Sequence, residues 1–186
     1  MNEVLKCIKE RRTTRKFKAE QIKDEEVQQI VEAGLYAPSA ENHQSWHFTA
    51  IQNKDILDEM NFETKEVFKK SDNETFRRVG NNEKFVPSYD APTVILISGN
   101  NDCNFKDVDC AAATQNMLLA AHSLGVASCW AAATAAVFNG EKNEYFRDKL
   151  NIPDNYTPLH AVLLGYSDNT PSKAPKRKDN TVNYVK

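Results

Sequence analysis

Apolar residues recur along this chain in three rhythms, and the changes of rhythm mark its elements. Val4, Leu5 and Ile8 fall on one helical face with charges elsewhere, which predicts a helix over 2–11. Val27, Ile30, Val31 and Leu35 repeat at the same spacing, with Asp24 as the candidate N-cap. Pro38 stops that helix, because proline disfavours helix at the residue before it and donates no helix bond. Trp46 and Phe48 alternate with polar neighbours, so a strand is expected over 47–52. Ile56, Leu57, Met60, Val67 and Phe68 make 54–70 an amphipathic helix. Periodicity then fails over 71–90, where Asn73, Gly80, Asn81, Asn82 and Pro87 intervene. That stretch is expected to be mobile, a lid over a site.

The second half is more apolar. Thr93-Val94-Ile95-Leu96-Ile97-Ser98 is an unbroken run of the kind found in a central buried strand. Residues 107–124 read as a long helix, rich in alanine and apolar almost all round, ended by Gly125 as a C-cap. Such a helix should be buried, and Gln115 and Asn116 within it need partners, which another subunit could supply. Val126 to Trp130 is a short strand, 142–150 a short helix, and 157–164 a last apolar strand. The tail is basic and broken by proline, with no core pattern. Helices and strands in this order predict a single α+β domain over 1–186.

Bulk composition narrows the function. With 186 residues, 40% hydrophobic and 27% charged, the chain can bury a sizeable core. A net charge of −2 gives no global reason to bind nucleic acid. No apolar run approaches the roughly 20 residues of a membrane helix. The N-terminus has no apolar signal region, so the expected compartment is cytoplasmic. Cys7, Cys103, Cys110 and Cys129 show no metal spacing and are expected as free thiols, and the scattered histidines add no metal site. No G-x-G-x-x-G follows a strand, and neither a P-loop nor a nucleophile elbow occurs.

Two stretches carry candidate chemistry. Arg11-Arg12-Thr13-Thr14-Arg15-Lys16 sets guanidinium groups and hydroxyls at the end of a helix, a mixture that suits a phosphate as well as a solvated surface. Pro38, Ser39, Asn42 and Gln44 put short polar side chains on a loop held between a helix and a strand, where a planar, polar-edged ligand could be bound. Ala131 and Ala132 are small enough to let backbone amides approach a ligand.

These residues resemble a known family. Arg11-Arg12-Thr13-x-Arg15-x-Phe17 is similar to the opening R-R-S-x-R-x-F of the flavin-dependent nitroreductases. Ala37-Pro38-Ser39-Ala40-x-Asn42-x-Gln44-x-Trp46-x-Phe48 resembles their A-P-S-x-x-N-x-Q-x-W-x-F. Asn116 to Ala121, Leu124-Gly125, Ser128-Cys129-Trp130, Leu164-Gly165-Tyr166 and Arg177 match further motifs in the same order. The resemblance implies an α+β fold with a central, mostly antiparallel sheet, an intertwined homodimer, and FMN bound between the two chains. It implies hydride from NADH or NADPH passed to nitroaromatics, quinones or similar small-molecule acceptors in a ping-pong cycle. It places Arg11, Arg12 and Thr13 at the phosphate and ribityl end, joined by Arg177 and Lys176 from a tail, 167–186, that extends onto the partner. Arg15 falls at the pyrimidine edge, where a fixed cation raises the reduction potential. Ala131 and Ala132 offer amides near N5, and Pro38, Ser39, Ala40, Asn42 and Gln44 come from the partner subunit. The match departs at Thr13, where serine is usual, and at the alanines after Trp130. Lys178 is an alternative to Lys176 and Arg177. No side chain is assigned as catalytic acid, base or nucleophile, because the flavin carries the chemistry. Other flavin enzymes on the same scaffold, such as a reductive dehalogenase or a flavin-consuming oxidase, and a non-catalytic flavin binder are the alternatives. Residues 61–90 should discriminate among them.

Overall fold

The computed structural model describes residues 1–169 and 173–186. In chain order the elements are α1 (Glu3–Glu10), α2 (Asp24–Leu35), β1 (Trp46–Ile51), α3 (Lys54–Lys69), α4 (Glu74–Gly80), β2 (Thr93–Asn100), α5 (Lys106–Ser123), β3 (Ala127–Ala131), α6 (Asn143–Lys149) and β4 (Tyr156–Gly165). Short 3-10 turns cover Ala40–Asn42 and Ala133–Asn139. The strands form one antiparallel sheet in the order β1-β2-β4-β3.

β2 and β4 are the central strands, and the unbroken apolar run of β2 follows from its position. Thr93 to Gly99 are all buried because helices cover both faces of the sheet. Ile95 and Ile97 pack with Val27 and Ile30 of α2 and Cys110, Ala113 and Met117 of α5. Val94 and Leu96 point the other way, toward Leu57 and Met60 of α3, Val137 of the 3-10 turn after β3 and Phe146 of α6. A register shift between Ile97 and Ser98 bends the central pair near its end.

The elements agree with the sequence reading to within a residue or two, with three differences. Lys23, not Asp24, caps α2. Its N–H donates to the Glu26 carboxylate at 2.9 Å, so Asp24 joins Glu25 and Glu26 in the first turn, where acids suit the helix dipole. The stretch 71–90, read as mobile, contains α4. Phe76 of α4 stacks on Phe68 of α3 with ring centroids 5.1 Å apart, and Phe85 adds a second stack at 6.3 Å. A short helix tied by rings rather than by a long stripe leaves little periodicity to read. Finally, α5 is buried on one face only by its own chain. Val108 is 67% exposed. Asn116 finds its partner within the chain, donating to Ala33 O of α2 at 3.1 Å.

Gly125 closes α5 as expected. Its φ of +76° lets the Val126 N–H reach Ala121 O at 2.8 Å and its own N–H reach His122 O at 3.1 Å. The chain thereby reverses into β3, which sets the position of everything described next.

Candidate functional site

The basic segment lies along the edge of β3. α1 ends where the Arg11 N–H donates to Cys7 O at 2.9 Å. Thr13 then forms a parallel bridge with Ser128, and the Thr14 N–H donates to Ser128 O at 2.9 Å. This brings Arg11 and Arg15 close to the buried thiol of Cys129, whose pKa burial raises and the two arginines oppose. Burial, then the like charge of Arg12, pushes the pKa of Arg11 down. Arg12 itself donates to the carbonyls of Lys9 and Arg11, both at 2.7 Å. Arg15 holds its guanidinium over the Tyr89 ring, 5.9 Å from the centroid. Ala131 is the last residue of the same strand and Ala132 the exposed residue after it. Clustered guanidinium groups, one losing solvation, with the Thr13 hydroxyl at hand, form a donor set that an anion would relieve.

The polar loop is built differently. The Ser39 hydroxyl accepts from the Gln44 N–H at 3.0 Å, and the Gln44 side chain donates to Asn42 Oδ1 at 3.1 Å. Pro38 leads into this loop from α2. Glu41, Asn42 and Gln44 all have positive φ, at 51°, 56° and 46°. Asp109, in the first turn of α5, holds the loop at two points. Its carboxylate accepts the Ala40 N–H at 3.0 Å and the Ser45 hydroxyl at 2.8 Å. Asp109 is 2% exposed. Sequence reasoning passed over it. The one signal was an acid in a helix that otherwise reads as core.

The two groups do not meet within one chain. The loop is fixed to α5 at Asp109, whereas α1 touches α5 near its other end, where the Cys7 thiol donates to Leu119 O at 3.3 Å. Asp109 and Leu119 stand ten residues apart, about 15 Å along a helix rising 1.5 Å per residue. Lys176 and Arg177 are exposed, and the Lys176 ammonium pairs with Asp179 at 2.9 Å. Residues 170–172 of the expected tail lie outside the described residues.

A cleft of about 1040 Å³ opens beside Ala132, between α3, α4 and the 3-10 turn after β3. Phe68, Phe76, Val79, Phe85 and Ala136 form its apolar walls. Two ion pairs tie α3 to the turn at its rim, Lys70–Glu141 and Lys142–Glu63, both at 2.9 Å. The sequence pointed to this region only as a cover, without its aromatic lining.

Among the described residues, no helix is long and apolar enough to cross a membrane. The chain resembles known proteins over nearly its whole length. The solved structure of a Bacteroides fragilis nitroreductase with bound FMN is 36% identical, covers 100% of both chains and superposes with a TM-score of 0.93. A Desulfitobacterium hafniense nitroreductase, also solved with bound FMN, is 32% identical, again over 100% of both chains, with a TM-score of 0.91. An Archaeoglobus fulgidus protein with the provisional name NADH dehydrogenase/NAD(P)H nitroreductase is 34% identical over 89% of this chain and 86% of its own. The family model described as "Nitroreductase family" matches residues 8–166, and the chain belongs to the nitroreductase family.

Proposed function

We propose that this protein is an FMN-dependent oxidoreductase. It takes electrons from NADH or NADPH and passes them to nitroaromatics, quinones or similar small acceptors in a ping-pong cycle, as a homodimer. The observation that carries this reading is the line of Arg11, Arg12, Thr13 and Arg15 along the edge of β3, one strand-length from Ala131 and Ala132. The FMN in the two relatives from Bacteroides fragilis and Desulfitobacterium hafniense supports it.

The residues fit the group. Arg11, Arg12 and Thr13 would hold the phosphate, with Lys176 and Arg177 joining from the tail of the chain. Arg15 would face the pyrimidine edge, where its planar guanidinium can present paired donors. The amides of Ala131 and Ala132 would orient the ring. Bound flavin supplies hydride and electron transfer, and the protein supplies binding, orientation and electrostatics. The cleft beside Ala132, lined by three phenyl rings, would give the acceptor an apolar place, and the ion pairs at its rim leave Lys70 and Lys142 with carboxylate partners.

Two facts support the homodimer. The loop and α1, which leads into the basic segment, are anchored about 15 Å apart along α5, and a second chain could bring one of them to the other. The apolar face of α1 also lacks cover, since none of its residues is buried. Purified protein should be yellow and release FMN, not FAD, on heating. Anaerobic NADH or NADPH should bleach it. A colourless protein that takes up no added FMN overturns the reading.

A further inference from the structure

The loop from Ser39 to Gln44 holds three non-glycine residues in the left-handed region, Glu41, Asn42 and Gln44. Such conformations are strained for residues with a Cβ and persist only where their surroundings over-determine them. The strained residues are bracketed by two bonds to one carboxylate: Ala40 N–H to Asp109 Oδ1 on one side, Ser45 Oγ–H to Asp109 Oδ2 on the other. Ser45 is as buried as Asp109, at 2% exposure, so neither group can exchange its partner for water. The Cys103 thiol approaches the same oxygen at 3.9 Å, a weak third contact. The remaining bonds within Ser39–Gln44 are internal, between Ser39 and Gln44, Asn42 and Gln44, Ser39 and Asn42, and Ala40 and His43, and they shape the loop without tying it to the body of the protein. Past the strained residues, Ser45 O also accepts the Asn100 N–H of β2 at 2.7 Å, so on the Ala40 side Asp109 is the tie.

We propose that Asp109 is a positioning residue of the flavin site: it holds the Ser39–Gln44 loop in the conformation that closes the cofactor pocket of the neighbouring chain. It touches no ligand itself. The inference rests on the FMN-binding, two-chain reading above, and its consequence is specific. A change at Asp109 damages the pocket of the other subunit while leaving the basic segment of its own chain intact.

The test has two parts. Asp109→Asn keeps the shape but places an amide against two donors, and FMN should dissociate at least about tenfold more readily, the scale of one lost charge-assisted bond. Hydrogen exchange at residues 40–45 should quicken in the same variant without any flavin present. Chains are then mixed. A heterodimer of Asp109→Asn with Arg11→Ala should recover one FMN site with parental affinity, because both lesions fall in the other pocket. A heterodimer of the doubly substituted chain with the parent chain should recover none. The opposite pattern would show Asp109 acting within its own chain and overturn the proposal, as would parental FMN affinity in Asp109→Asn. Should Asp109→Asn fail to fold, Ser45→Ala removes one of the two bonds and must show the same loss and the same mixing pattern. A parent protein that takes up no FMN overturns the flavin reading, and with it the role proposed for Asp109. Unchanged exchange at 40–45 would instead overturn the anchoring by itself.

Discussion

His160 is a buried base that the proposed chemistry does not use, and it makes the stability of the protein depend on pH. Thr114 donates its hydroxyl to Cys110 O at 2.7 Å, so its oxygen can accept the His160 Nε2–H, also at 2.7 Å. The imidazole lies 4.8 Å from the Trp130 ring. Burial pushes its pKa from 6.5 down to about 4, against a smaller opposing effect of Asp107 and the Cys110 backbone. A base with a depressed pKa is neutral in the fold and takes its proton first when unfolded. Its contribution is therefore whole above pH 6.5 and is lost as the pH falls toward 4, to a total of about 3 kcal/mol. His160→Gln keeps a donor for Thr114 and cannot titrate, so its urea midpoint should vary less between pH 6.5 and 4 than that of the parent. Arg15→Ala should lower the flavin potential and weaken FMN by about 1.5–3 kcal/mol, the worth of a hydrogen bond to a charged group. A variant that binds and reduces FMN like the parent would remove Arg15 from the pyrimidine edge. Arg11, Arg15, Ser39 and Asn42 were visible as candidates because they sit in short runs of polar side chains where a core pattern stops. Asp109 was not, because its partners lie 69 and 64 residues away in the chain and only folding brings them together.

Among the elements, legibility followed the environment of each one. β2 could be read from sequence because both of its faces are covered, which demands apolar residues without interruption. α5 was readable from its length and alanine-rich apolar pattern, although its own chain buries only one of its faces and hydropathy does not say what covers the other. α4 could not be read. It has seven residues, and what fixes it is a close approach to α3 that leaves no periodic trace. A Cβ on Gly80 would stand 2.7 Å from Lys69 N and 2.9 Å from Lys65 O, backbone atoms that cannot turn aside. Gly80→Ala should therefore destabilise the protein by roughly 1–3 kcal/mol, the usual cost of overpacking, although alanine favours helix by up to about 1 kcal/mol. Amides over 74–85 should exchange faster in this variant as α4 lifts from the cleft it roofs. Increased stability, as for a glycine on an open helix face, would mean that α4 does not pack on α3 in this way.

For the whole molecule the deciding quantity is apolar surface without cover. Val4, Leu5 and Ile8 of α1 are 64%, 49% and 50% exposed, and Phe105 and Val108 at the start of α5 add to them. An eight-residue helix gains little from its own hydrogen bonds in water and depends on burying a face. Exposed patches of this kind mark interaction sites in soluble proteins. On the homodimer proposed above, a second copy of the chain would cover this surface and also bring its polar loop to the basic segment, giving two equivalent pockets about a two-fold axis. Assembly and cofactor binding would then be linked, because a ligand that binds only the dimer stabilises it by mass action. Light scattering on the eluting protein should give about twice the chain mass of 21.0 kDa. Leu5→Glu combined with Ile8→Glu should lower that mass and release FMN together, though neither residue is among those assigned to the cofactor. Added FMN should drive the variant back toward the dimer. A well-folded monomer that still binds FMN tightly would separate the two properties and place the whole pocket within one chain.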